Sequence, residues 1–405
     1  MKKLFKQIYL LSTITCLAGC VNSNFQMGTY GYDKQFLSER GIETVELKSD
    51  DGLSRLLIAP VWQGRVLTST TGGDEGISYG WINHRYIDQA QTNEIFNPYG
   101  GEERFWIGPE GGPYSWYFKK GVPQVYENWV VPAGIDTEVH NVQHKSHNSV
   151  VLTHRMDIRN ASDHLFNIGM RRVVTLMEKK DIEQLLSVNL ASDLKVIGYK
   201  TENSLKNEGC AAWDKTTGMP SVWMLGMFNP TPTTTVFIPY DEDFDGKKVN
   251  DEYFGKVPSD RLVVDNGMVY FKIDGELRSK IGLPKGSATD ICGSYDSAQK
   301  VLNILKYSVP EGDAQYVNSQ WGLQEDPFNG DVINSYNDGP TETGVVMGPF
   351  YEIETSSPAA ALKPGETLTH VQYTIHIEGD EEKLAKIAAD VFGADLCKIS
   401  NMFVR

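Results

Sequence analysis

From about residue 41 to residue 378 the chain reads as one short apolar or alternating run after another, broken by Gly, Pro, Asn and Asp. Leu56 to Val61, Val150 to Ile158, Val173 to Met177, Ser221 to Met227, Thr235 to Pro239, Met268 to Ile273, Val301 to Tyr307 and Leu368 to Ile377 are the clearest strands. A strand with an apolar side must bury it against another layer, so a succession this long predicts an all-β fold of two packed antiparallel sheets, a large sandwich. Helical spacing returns at the end, where Leu384, Ile387, Ala388 and Val391 fall at i, i+3, i+4 and i+7. The acids Asp380, Glu381 and Glu382 precede this stripe and Gly393 follows it, so 379–405 is expected to hold a C-terminal amphipathic helix packed on the sandwich. Lys180 to Leu186 and Asp88 to Ile95 are two further helix-like stretches.

The N-terminus carries Lys2, Lys3 and Lys6, then an apolar run from Ile8 to Thr15, then Leu17-Ala18-Gly19-Cys20. The run is too short to cross a bilayer and has the layout of a secretory signal. The LAGC sequence resembles the lipobox of bacterial lipoproteins. That resemblance implies a signal peptide over 1–19 and lipidation of Cys20; the polar residues that follow read as a tether over 20–40, and the strand succession places the sandwich over 41–378. The protein would then sit in the bacterial cell envelope, held to a membrane by acyl chains, at the outer membrane or the periplasmic face. The remaining Cys210, Cys292 and Cys397 are too few and too widely spaced for a disulfide framework or a CxxC metal site, and are read as buried free thiols. A formal charge of -15 argues against a nucleic-acid partner and against binding to anionic lipid surfaces.

The run Asn97 to Gly112, NPYGGEERFWIGPEGG, concentrates ligand-binding side chains. Its glycine pairs allow close backbone approach, Arg104 offers a planar fork for hydroxyl or carboxylate groups, and Trp106 or the nearby Trp116 can stack on a sugar face. Glu102, Glu103 and Glu110 add hydroxyl acceptors; a long hairpin with core aromatics and solvated charges fits the same composition. Near the other end, Tyr351 to Pro358 reads YEIETSSP. In a strand, Glu352 and Glu354 share one face, which is either a site or the solvated side of a sheet. Lys256, Arg261, Arg278 and Lys280 supply cations in loop-like stretches, and Trp321 to Pro340 supplies Asp326, Asn334, Tyr336, Asn337 and Asp338. Such amide and carboxylate groups beside aromatics suit hydroxyl-rich ligands, although Asn and Asp also build plain turns.

Two patterns resemble metal sites in letters. Asp241, Asp243 and Asp245, with Gly246 and Glu252, match a calcium loop, but a strand precedes them and no helical stripe follows, so an EF-hand is not expected. A non-helical acidic loop holding calcium at Asp241, Asp243 and Asp245 stays open; no other cofactor is expected. His140, His144 and His147 lie in an alternating run that reads as a hairpin with His147 in its turn, which separates them as zinc ligands.

The GG, Trp and Pro-Glu succession in 97–112 is similar to a motif of galactose-mutarotase-like proteins, the superfamily that includes the aldose 1-epimerases. YEIETSSP followed by Leu362-Lys363-Pro364-Gly365-Glu366 resembles the C-terminal strand and turn of the same superfamily. The resemblance implies a β-supersandwich whose cleft binds or processes carbohydrate, with Glu354 as the base that takes the anomeric hydroxyl proton and Glu352 as the alternative. It also implies a histidine near Asn167 to Arg172, where this chain has Arg171 and Arg172 instead. Arginine stays protonated and cannot act as the general acid, so the second carboxyl group would be Glu110 or Glu352, protonated through burial in a dry site. Arg104, Arg171, Arg172, Lys280, Asn337, Glu102, Trp106 and Trp116 are then expected to bind the sugar, and the arginines would suit an anionic one. An epimerase or glycosidase is one reading; a non-catalytic glycan-binding lipoprotein is the other.

Overall fold

A computed structural model of the chain describes residues 24–341, 344 and 346–403. The signal peptide and Cys20 lie outside the described residues. Ten strands form one antiparallel sheet in the spatial order Leu262–Asp265, Met268–Lys272, Thr234–Pro239, Ile291–Asp296, Val301–Tyr307, Thr367–Glu378, Lys195–Asn207, Leu165–Leu176, Ser149–Arg159 and Asn141–Lys145. Five strands form a second sheet in the order Ser279–Pro284, Asp331–Asn337, Tyr351–Ser356, Ser221–Phe228 and Arg104–Gly108. A third sheet of Val45–Lys48, Arg55–Ala59 and Arg65–Thr70 packs Leu47, Leu56 and Ile58 against Val150, Leu152 and Val174 of the large sheet. The expected large antiparallel sandwich is therefore the observed architecture, and each of the eight strands named from periodicity falls within or across an observed strand.

Alternation sorts the five-stranded sheet into two faces. Phe105, Met224, Ile281, Leu283, Ile333 and Ile353 point inward, where several of them meet Val236, Val269, Phe271 and Leu305 of the large sheet. The opposite face of the large sheet is covered by helices. Lys179–Leu186 contributes Ile182 and Leu186, and Glu381–Phe392 contributes Leu384, Ile387, Ala388 and Phe392. Asp380 caps the latter by accepting from the Glu382 N–H, and Gly393 ends it at φ 64°. The expected single C-terminal helix is two, because Asp395 caps a second short helix, Leu396–Asn401.

Three other expectations differ from the structure. Of the three thiols expected to be buried only Cys292 is, while Cys210 and Cys397 are exposed. The tether expected over 20–40 is folded from residue 30 onward: Thr29 caps the helix Tyr30–Glu39, whose Tyr30, Phe36 and Leu37 are buried against Leu57, Ala59 and Leu67. The helix expected over Asp88 to Ile95 lies earlier, at His84–Asp88, where the Asn83 side chain caps it.

The sandwich interior also holds a polar layer. Arg172 is buried and donates to Glu103, whose other carboxylate oxygen accepts from Gln372 Nε2 at 2.7 Å. Glu102 accepts from Ser69 Oγ at 2.8 Å and pairs with His376 Nε2 at 2.8 Å. The roles expected for Glu102, Arg171 and Arg172 at the ligand are thereby overturned. Residues 102 and 103 pair with Leu67 and Val66 of the small sheet, which carries both carboxyl groups into the interior. On the strand Leu165–Leu176 neighbouring side chains alternate, so Arg172 takes the inside and Arg171 is exposed on the outside. Arg172→Met should leave Glu103 buried without its cation and cost about 3–5 kcal/mol in chemical denaturation, whereas Arg171→Ala should stay within about 0.5 kcal/mol.

Candidate functional site

The outward face of the five-stranded sheet carries the site. Register places Gly282, Asn334, Glu354, Leu225 and Arg104 in one row across it. The next row is Lys280, Tyr336, Glu352 and Met227, and the row on the other side pairs Ser356, Trp223 and Trp106. Over this floor lies a cavity of about 120 Å3 lined by Arg104, Trp106, Trp223, Lys280, Tyr336 and Glu352 from the sheet. Phe96, Glu110, Tyr126, Trp129, Phe254, Arg278, Trp321 and Phe350 close over it from connecting segments.

The floor is a lattice of charge pairs. Lys280 Nζ donates to Glu354 Oε2 at 2.8 Å, and Trp223 Nε1 donates to the same oxygen at 2.9 Å. Arg104 donates to Glu352 and stacks its guanidinium over Trp106 at 4.9 Å. Glu354 is buried beneath this layer and does not itself line the cavity, and its Oε1 has no hydrogen-bond partner within the described residues. Arg104 Nε and Trp106 Nε1 are likewise unpaired among the described residues. Buried polar atoms are rarely left so, and the two donors belong to residues of the cavity wall, where a ligand rich in hydroxyls, each both donor and acceptor, would suit them.

Burial acts on the Glu352 and Glu110 carboxyl groups of the cavity wall. Burial pushes Glu352 up to about 7 against the pull of Arg104, and neighbouring Glu354 pushes it the same way. Burial also raises Glu110, with Lys280 opposing and Glu354 adding to the shift. For Lys280 burial works against the charge, but Glu354 and Glu110 outweigh it and hold the ammonium above its usual value. Arg278 differs from the other two cations: its guanidinium lies 4.0 Å from the Phe254 ring centre and its Nε donates to Tyr336 Oη at 3.3 Å. No carboxylate lies within ion-pair distance of it among the described residues.

The second glycine pair of 97–112 has a steric task. A Cβ on Gly111 would sit 2.2 Å from the Gln320 carbonyl oxygen, and one on Gly112, at φ 77°, would sit 2.3 Å from Gln324 Oε1. The segment that brings Trp321 to the cavity rests directly on these two residues.

Of the residues read from sequence, Arg104, Trp106, Glu110, Arg278, Lys280, Tyr336 and Glu352 line the cavity and Glu354 lies under it. Two others are misplaced. Trp116 is buried below the site, donating from Nε1 to the Gly108 carbonyl at 2.7 Å and meeting Phe166 edge to face. Asn337 alternates with Tyr336, so it faces away and instead bonds Gly275 N–H and the Leu277 carbonyl at 2.9 Å each. Trp223, Trp129, Tyr126 and Phe254 were missed. Trp223 sits on a strand buried on both faces, Ser221–Phe228, which leaves no polar alternation to mark its cavity side. Among the described residues no histidine lines the cavity and no group of three or more His, Cys, Asp or Glu side chains is arranged to hold a metal. In the Asp241–Asp245 loop, Asp241 Oδ1 accepts from Asp243 N–H at 2.9 Å and Lys248 Nζ donates to the Glu242 carbonyl at 2.8 Å.

The Glu352 carboxyl resonance should titrate near pH 7 by carbon NMR of the folded protein. An unfolded chain releases this proton near 4.5 while the folded chain keeps it to about 7, so the contribution of Glu352 to stability declines as pH rises through that window. A midpoint near 4.5 in the folded protein would refute the burial argument.

No curated protein sequence matches the chain. In structure it is similar to a candidate aldose 1-epimerase from Escherichia coli K12, with 10% identity, TM-score 0.47, and coverage of 82% of this chain and 98% of that one. It is similar also to a galactose mutarotase-like protein from Lactobacillus casei, with 11% identity, TM-score 0.46, and coverage of 83% and 100%. A galactose mutarotase related enzyme from Lactobacillus acidophilus gives 9% identity, TM-score 0.45, and coverage of 83% and 98%. Likeness at this level assigns no activity, so the functional reading rests on the cavity alone. A sequence-family model matches residues 28–403, and the chain belongs to that family, DUF6786, a family of unknown function.

Proposed function

We propose that this protein binds carbohydrate in the cavity on the five-stranded sheet and moves a proton at the anomeric centre. The observation that carries the reading is the convergence of Glu110, Glu352 and Lys280 on one cavity walled by indole and phenol rings, with Glu354 held directly beneath it by Lys280. Aromatic faces stack on the apolar side of a pyranose, while the unpaired Glu354 Oε1, Arg104 Nε and Trp106 Nε1 suit its hydroxyls.

The chemistry assigned to these groups is ring opening and closure. Glu354 takes the proton of the O1 hydroxyl as the C1–O5 bond breaks, and O5 receives a proton from Glu352 or Glu110, the two carboxyl groups that burial biases toward the acid form. Rotation about C1–C2 and the reverse transfers close the other anomer. Lys280 positions Glu354 and balances its charge. Arg278, the lining cation without a carboxylate partner among the described residues, suits a sugar carrying an acidic substituent.

A second reading, glycan capture without chemistry, is favoured by the neutralisation of both strand carboxylates, Glu352 by Arg104 and Glu354 by Lys280. Glu354→Gln separates the two. Anomer exchange followed by NMR should fall at least 100-fold in the variant while sugar binding persists, a loss of the size expected for removing a general base. Exchange unchanged in the variant would remove Glu354 from the mechanism, and binding with no exchange in the native protein would favour capture.

We also propose attachment to the cell envelope through lipidated Cys20, from the LAGC sequence. Cys20→Ser should shift the protein from the membrane to the soluble fraction; an unchanged distribution would contradict the anchor.

A further inference from the structure

A second cavity, of about 420 Å3, lies beside the first, and its chemistry is different. Asn250, Tyr253, Asn318, Gln320, Asn329 and Asp331 line it, so its wall is mostly amide and carboxyl. Two pairs of sequence neighbours are divided between the cavities. Tyr253 and Gln320 face the polar one, while Phe254 and Trp321 face the aromatic one, so the two spaces flank the same two loops. Tyr253 stands between them: Lys280 Nζ lies 5.3 Å from its ring centre, and its hydroxyl donates to Asp331 and accepts from Asn334 Nδ2 at 3.1 Å.

The wall is already built. Gln324 Nε2 donates to the carbonyls of Asn318 and Gln320 at 2.9 and 2.6 Å, and Gln124 Oε1 accepts from the N–H groups of Gly112 and Gly322 at 2.8 Å each. These bonds fix the Gln320 to Gln324 segment on the Gly111–Gly112 pair. The rim of the aromatic cavity gives a second, independent observation. Tyr126, Phe254 and Trp321 are 63%, 46% and 36% exposed, although each also lines that cavity. A ligand confined to about 120 Å3 would leave these ring faces in water.

We propose that the polar cavity holds a second, neutral sugar unit of an oligosaccharide whose end unit occupies the aromatic cavity. Trp321 and Phe254 would stack along the linkage. Gln320, Asn318 and Asn329 would meet hydroxyl groups of the second unit, with Asp331 and Asp326 as acceptors. Those two carboxyl groups, with Glu325, disfavour an acidic unit here. The inference rests on the carbohydrate reading above and adds the length of the ligand.

The test uses the full protein and a calorimetric panel of glucose, galactose and glucuronate together with di- and trisaccharides built from them. The best disaccharide should bind at least tenfold more tightly than its monosaccharide. Gln320→Ala combined with Asn329→Ala changes two exposed cavity side chains, and should erase that advantage while monosaccharide affinity is kept. Equal affinity for one and two units, or an advantage that survives the double variant, would overturn this inference alone. Absence of binding by every sugar would overturn it together with the carbohydrate reading.

Discussion

The ion pair between Lys280 and Glu354, 2.8 Å apart on the outward face of the five-stranded sheet, is the contact on which the rest of the site depends. Taking two charges out of water costs several kcal/mol each, and a buried pair rarely repays this in stability. Here the pair is joined by Trp223 on the same carboxylate oxygen, and it sets the field felt by Glu110 and Glu352. The second strand carboxylate is held by Arg104, which is itself steadied over Trp106. Each cation thus fixes one acid, and the aromatic wall keeps water from screening them.

The sheet can present these groups because its two faces do separate work. Period-two alternation sends Ile281, Ile333, Ile353 and Met224 inward and leaves Lys280, Tyr336, Glu352 and Glu354 together outside. Behind them, the polar layer of Glu103 with Arg172 and Glu102 with His376 ties the sheets through buried hydrogen bonds. A one-residue slip of the Tyr351–Ser356 strand would exchange both sets, so the hydrophobic interior and the charged floor specify the same register.

Much of this was legible in the sequence where one physical rule governs. The strand succession gave the sandwich, and the i, i+2 spacing of Glu352 and Glu354 gave their common face. Arg104, Trp106 and Glu110 followed from one motif. The rest depended on distant pairing. Residues 102 and 103 leave the site because the chain there pairs with the small sheet, and neighbours cannot reveal that. Arg171 and Arg172 differ only in which face they take, on a strand with both faces partly apolar. Trp129 and Trp321 come from loops, whose course over the sheet follows no periodicity. The helix Tyr30–Glu39 escaped because its large buried apolar residues are only Tyr30, Phe36 and Leu37 among polar ones.

A sugar ring seated on this floor is the central claim, and a crystal structure with the tightest-binding sugar of the panel tests it most directly. The account predicts a pyranose against Trp106, Trp223 and Trp321, with its O1 hydroxyl within about 3 Å of Glu354 Oε1, the reach a proton-accepting carboxylate needs. A ring bound on another face of the sandwich, or one in the cavity whose anomeric end points away from Glu354, would contradict it.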